Sequence, residues 1–195
     1  MKALENFSKY LLENCLDDLA AVFASKLKLR ESQSFAFAEV RDSPDEEFYL
    51  KIRENFRNLL EHIVNGTAFE YFERNIVLWK EDKHPDIKRN QPGLHGLIHG
   101  LGLRKMAFVE LIPRYTSDVA TASAIMIDLI GLYNFYREKA YQAYLEMQNA
   151  DLQKEKEFIE TILESTDEGI SGLDRDLKVT VWNQALERRT GVRKK

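Results

Sequence analysis

Residues 145–191 read LEMQNADLQKEKEFIETILESTDEGISGLDRDLKVTVWNQALERRTG, and within them one kind of periodicity gives way to another. Up to Ser165 the apolar residues are sparse. Leu145, Leu152 and Ile159 stand seven apart, Gln148 and Glu155 take the companion positions before Ile162, and Glu, Lys and Gln fill the rest. A helix packed in a globule keeps a broad apolar face, whereas a two-helix seam keeps a narrow one, so residues 145–166 are expected to form a coiled-coil linker helix. The competing reading is a solvated terminal helix. After Thr166 the pattern shortens. Gly169 to Leu173 and Lys178 to Trp182 read as two strands around the turn Asp174-Arg175-Asp176, and Asn183 opens a short helix that Gly191 stops. Two strands do not make an independent sheet, so residues 167–195 are expected to be incomplete, a fragment or a piece that further chain completes.

Upstream, helical periodicity dominates. Leu4, Phe7, Leu11, Cys15, Leu19, Val22 and Phe23 recur every three or four residues and predict one helix to about Leu29. Residues 30–42 lack a period and read as a connection. Ser43-Pro44-Asp45-Glu46 predicts a capped helix start, because the Ser hydroxyl accepts from a first-turn amide, Pro has no N–H to waste, and Glu46 returns the bond. That helix carries Phe48, Ile52, Phe56, Leu59, Leu60 and Ile63 and stops at Asn65-Gly66. A third, Ala68 to Lys80, presents Phe69, Phe72, Ile76 and Trp79. Glu81 to Gly93 holds two turn-forming clusters and breaks the helical part. A glycine-punctuated apolar stretch, Leu94 to Leu103, leads into a helix to about Ile112 that Pro113 stops. Ser117-Asp118 opens the longest helix, which the pattern allows to run unbroken to Ser165.

Composition narrows the function classes. A chain of 195 residues with 44% hydrophobic and 11% aromatic residues has the material for a packed core. Its 28 basic and 32 acidic residues nearly cancel, which argues against a nucleic-acid or anionic-membrane partner. The basic tail Arg188, Arg189, Arg193, Lys194, Lys195 reads as solvated surface. One cysteine, Cys15, excludes an internal disulfide framework; it falls in an apolar register and reads as core filler. The first residues lack the apolar stretch of a signal peptide, and no window is read as a membrane span, so a soluble cytoplasmic protein is expected. Neither a phosphate-binding Gly-rich loop with Lys-Ser/Thr nor a G-x-S-x-G is present, and no catalytic residue is assigned.

The segment from Phe158 to Val192 resembles the entrance to a PAS domain. The resemblance rests on Ile162-Leu163-Glu164-Ser165, Gly169-Ile170, Asp174-Arg175-Asp176, Val181-Trp182-Asn183-Gln184-Ala185 and Gly191. It implies a five-stranded sheet with a ligand pocket, of which only the first two strands are present, so no pocket residue follows. The order helix, linker, PAS resembles sensor histidine kinases and cyclase regulators, whose kinase or cyclase output domains would lie beyond Lys195. Residues 50–150 resemble globin-fold sensors, both haem-containing globin-coupled sensors and the non-haem stressosome type. That resemblance rests on Leu59-Leu60 through Gly66 to Tyr71, then His99 with Gly102-Leu103. The chain departs from it in the extra Glu81–Gly93 segment and in a His-to-Gly-Leu spacing one residue short.

Four histidines raise the question of a metal or haem. His95 and His99 share a face if their stretch is helical, yet no carboxylate lies nearby and the H-E-x-x-H pattern is absent, so no metal site is assigned. Gly96, Gly100 and Gly102 weaken even the helix, and packing of this stretch on a neighbour with hydrogen-bonded imidazoles is the preferred reading. If the resemblance extends to haem, His99 is the implied proximal ligand and His95 the fallback. His62 and His84 read as structural or exposed. The aromatic residues of the first half suit an ordinary core better than a cofactor box.

The expected fold is mainly all-α: a globin-like helical sensory domain over 1–144, a signalling helix over 145–166, and the first β-β-α segment of a truncated PAS domain over 167–195. The expected function is sensory input and signal relay in a bacterial-type system such as a two-component sensor, with a homodimer and a downstream signalling domain as partners. Two alternatives stand beside it: a haem-binding gas or redox sensor, and a purely structural dimerisation module.

Overall fold

The computed structural model describes residues 1–29, 45–81, 83 and 94–193, with the side chains of 28, 29, 45 and 94–97 left aside. Of these residues 81% are helical, which settles the class as mainly all-α. The elements are α1 (Lys2–Asn14), α2 (Leu16–Leu29), α3 (Asp45–Val64), α4 (Ala68–Lys80), α5 (Leu94–Tyr115), α6 (Val119–Ser165), β1 (Ser171–Leu173), β2 (Val179–Trp182) and α7 (Gln184–Thr190). The chain divides into two compact units, Met1–Tyr144 and Leu145–Lys195, and α6 belongs to both.

In the first unit α3 packs on α1, α2 and α4, while α2 and α1 also meet α5. The apolar periodicity predicts the core well: Leu4, Phe7, Leu11, Leu19 and Phe23 are buried together with Phe48, Ile52, Phe56, Leu59, Leu60 and Ile63. The single N-terminal helix expected from residues 4–23 is instead two. Cys15 sits between them with φ −138°, outside helical geometry. A straight helix of ~28 residues would run for ~42 Å, too long for both halves to lie on α3. Asp17 and Asp18 suit the first turn of α2, where backbone N–H groups face outward.

Pro113 does not stop α5, which continues to Tyr115. Tertiary anchors hold the last turn: Tyr115 packs on Phe7 and Tyr10 with ring centroids 5.4 and 5.1 Å away, and Arg114 reaches Asp18 at 2.6 Å. Gly66, at φ +72°, ends α3 in the left-handed conformation that Gly tolerates. Residues 30–42, the Ser43-Pro44 cap, and Glu81–Gly93 apart from Glu81 and Lys83 lie outside the described residues.

α6 is one unbroken helix of 47 residues. Asp118 caps it, accepting from the Thr121 hydroxyl at 2.6 Å and the Thr121 amide at 2.8 Å, and these bonds hold its carboxyl below the usual carboxylate range. Near the start of the chain the Met1 ammonium reaches Asp128 of α6 at 2.8 Å. One 18-residue window of α6, with mean hydropathy 1.3 and 28% of it buried, is long and apolar enough to cross a membrane by length and composition alone. That qualifies the expectation that no window approaches a span.

In the second unit β1 and β2 pair antiparallel, Ser171 opposite Trp182 and Gly172 opposite Val181, with an irregularity before Leu173. The Asp174 carboxylate closes the turn by accepting from the Asp176 and Lys178 amides, both at 2.9 Å.

Candidate functional site

The histidine stretch forms the first turns of α5. Glycines notwithstanding, residues 94–103 are helical, so His95 and His99 lie one turn apart on one helix. His99 is half-buried; the His95 side chain lies outside the described residues, as does His84. At Gly102 an added Cβ would meet nothing within 4 Å. Gly102 borders a cavity of about 90 Å³, together with Ile98, Leu101, Lys105, Tyr133 and Arg137. His99 is not among the residues that border it. His62 has a structural role: its ring stacks on Tyr71 at 4.6 Å, and its Nδ1 lies 2.7 Å from the Thr67 hydroxyl.

Between α2, α3, α4, α5 and α6 aromatic rings pack on one another. Phe72 stacks on Tyr136 at 4.3 Å with the planes 3° apart, Phe108 lies 5.8 Å from Phe56, and Phe56 meets Phe23 edge-on at 5.3 Å. Arg104 lies over Phe56 at 5.6 Å and over Phe23 at 5.9 Å, a cation–π pair of contacts at the rim of the cluster. Burial pushes the Tyr136 phenol up to about 12 and raises Tyr133 as well, because the phenolate would lose its hydration there. Both stay neutral at any physiological pH. The Tyr133 hydroxyl is buried with no hydrogen-bond partner among the described residues.

Among the described residues the rings that could flank a flat cofactor do not stand apart: Phe72 lies against Tyr136 at 4.3 Å. Nor do the described residues bring three or more His, Cys, Asp or Glu side chains together for a metal ion.

The second unit carries a different kind of site, a hydrogen-bonded clasp around Asn183. This side chain is buried, and every polar atom of its amide is used. Its Nδ2 donates to the Leu163 carbonyl at 2.9 Å and the Glu168 carbonyl at 2.8 Å. Its Oδ1 accepts from the Ile170 amide at 2.8 Å and from the Leu186 amide at 3.1 Å. One residue thus ties the last turn of α6, the chain leading into β1 and the first turn of α7. Glu164 adds a second tie, accepting from the Gln184 amide at 2.8 Å. Arg189 donates to the Asp167 carbonyl at 3.0 Å, so part of the basic tail is structural rather than merely solvated. The sequence marks Asn183 as a helix cap; its bonds to Leu163 and Glu168 depend on the chain folding back. Beside the clasp, Leu152, Ile159, Leu163, Val181 and Trp182 contribute to a groove of about 520 Å³.

Compared with family models, with curated proteins and with solved structures, the chain matches none.

Proposed function

We propose that this chain is a sensory input and signal-relay module of a bacterial-type signal transduction protein. In this reading the helical unit, globin-like in arrangement, receives a stimulus, α6 carries it, and the β-β-α segment is the entrance to a PAS domain. The chain supplies no catalysis of its own, acts in the cytoplasm as a homodimer through residues 145–165, and hands its signal to a downstream signalling domain.

One observation carries the reading: a single helix has Tyr133 and Tyr136 in the aromatic core and its Leu163 carbonyl in the grip of Asn183. An α-helix resists bending and twisting because each turn is hydrogen-bonded to the next. A change in ring packing at Tyr136 therefore displaces the end of the helix instead of dissipating along it. Two packings of the core with different affinities for a stimulus would complete a switch. The haem-sensor alternative has less support, since the described aromatic rings pack on one another.

The test uses exchange of the Ile170 and Leu186 amides, both held by Asn183. Tyr136→Leu is expected to alter their exchange rates, and adding Ala150→Pro, which breaks α6 between the two ends, is expected to abolish that effect. Unchanged exchange in Tyr136→Leu overturns the relay.

A further inference from the structure

Among the described residues the outward face of α6 within the first unit carries four large apolar side chains that remain exposed. Val119 is 77% exposed, Ile127 70%, Ile130 41% and Tyr141 45%, while Ile125, Leu129, Leu132 and Tyr136 on the other side are buried. The exposed residues span ~33 Å of helix at ~1.5 Å per residue. Their four side chains offer on the order of 400 Å² of apolar surface, about half of one partner's share of a standard interface and within the range of patches that mark interaction sites.

From these observations we infer that the Val119–Tyr141 face of α6 docks against the same face of a second copy, parallel and in register. The inference rests on the homodimer proposed above and extends its seam from residues 145–165 into the sensory unit. Three features favour a second copy as the occupant. Ile127, Asn134 and Tyr141 are seven apart, as are Gly131, Glu138 and Leu145, so the face keeps the heptad register of Leu145, Leu152 and Ile159. Asn134 is exposed in the middle of the stripe, and an amide is the side chain that can donate to and accept from its own copy when the register is parallel. Arg137, exposed beside Glu138, supplies opposite charge where a carboxylate faces its copy. A lipid bilayer suits the face less well, because the exposed Asn134, Arg137 and Glu138 interrupt it and the opposite side of α6 is committed to the protein core.

The face also ties the seam to the stimulus. α6 between residues 125 and 141 has the aromatic core on one side and, in this dimer, its own copy on the other. A rotation imposed by the core would then be read at the seam before it travels further.

The experiment uses the full chain with its one cysteine, the buried Cys15, replaced by Ala. Single cysteines are placed at Asn134 and, separately, at Leu152, because a disulfide needs Cβ atoms about 4 Å apart and so reports residues that face each other across a seam. Under mild oxidation both variants are expected to form cross-linked dimers. Ile127→Lys, a change on the surface, should cut the Asn134→Cys yield by about tenfold, the effect of ~1.4 kcal/mol on an equilibrium, without altering the circular dichroism melt. Cross-linking at Leu152→Cys alone overturns the inference and leaves the relay dimer standing. Cross-linking at Asn134→Cys alone upholds it and moves the dimer away from residues 145–165. Failure of both sinks the dimer itself. Flotation of the uncross-linked protein with phosphatidylcholine–phosphatidylglycerol vesicles would assign the face to lipid and overturn the inference.

Discussion

Among the described residues between Phe7 and Phe108 six phenylalanines are almost completely buried, Phe7, Phe23, Phe48, Phe56, Phe72 and Phe108. From Gln148 to Arg193 the buried side chains are Ala185 and Asn183 alone. The first unit is held by non-directional burial spread over many residues, so its stability survives the loss of any one polar contact. The second has little apolar surface to bury and depends on four directed bonds from one amide. An amide clasp fixes geometry tightly at a small free energy, which suits an element that must report a movement and then yield to it.

Removing a core ring is the harshest way to press on that difference. Phe72→Ala should destabilise the first unit by about 3–5 kcal/mol, the usual cost of a cavity left by a buried aromatic ring. Thermal denaturation followed by near-ultraviolet circular dichroism measures it. A loss near zero would mean that the ring stack on Tyr136 is not part of the stable core.

Asn183→Ala acts on the other unit. It takes the side-chain partner from the Leu163 and Glu168 carbonyls and the Ile170 amide, while the Leu186 amide keeps the Asn183 backbone carbonyl at 3.1 Å, for about 1–3 kcal/mol of local stability. Hydrogen exchange should show the 167–191 amides opening faster while those of α3 between Phe48 and Ile63 are unchanged. Equal acceleration in both would show that the two units melt as one.

The smallest expected effect is a gain. Gly102 is helical, and an added Cβ meets nothing within 4 Å. Gly102→Ala should therefore stabilise the first unit by about 0.5–1 kcal/mol, through helix propensity and a less disordered unfolded chain. At ~2–4 °C per kcal/mol for a unit of this size, the melt should rise by a few degrees. A fall would mean that the space beside Gly102 is occupied in solution.

Local signals were easiest to read where one residue type answers one backbone demand. Gly66 and Gly191 end helices at positive φ, at +72° and +69°, and Asn183 caps α7. Asn65-Gly66, Ala68, Lys80 and Ser165 mark boundaries that the structure repeats within a residue or so. The pattern misled where distant contacts outweigh local preference. Pro113 reads as a stop, yet Arg114 and Tyr115 are pinned by Asp18, Phe7 and Tyr10 and the helix goes on. The apolar register through Cys15 reads as continuous, yet the need of α1 and α2 to lie on the same partner breaks it. Three glycines in ten residues argue against a helix from Leu94, and the packing of α5 overrides them.

Residue order by itself determined the helical class, the 47-residue reach of α6, the β-β-α ending and the list of side chains that turn inward, because periodicity and caps are properties of adjacent residues. Only the tertiary structure decided what the inward side chains meet. It stacked Phe72 on Tyr136 where a cofactor slot was the alternative, and it turned Asn183 from a helix cap into the tie between three segments. It also left one face of α6 bare while burying the other. Those outcomes depend on which surfaces come together, and periodicity along a chain carries no information about that.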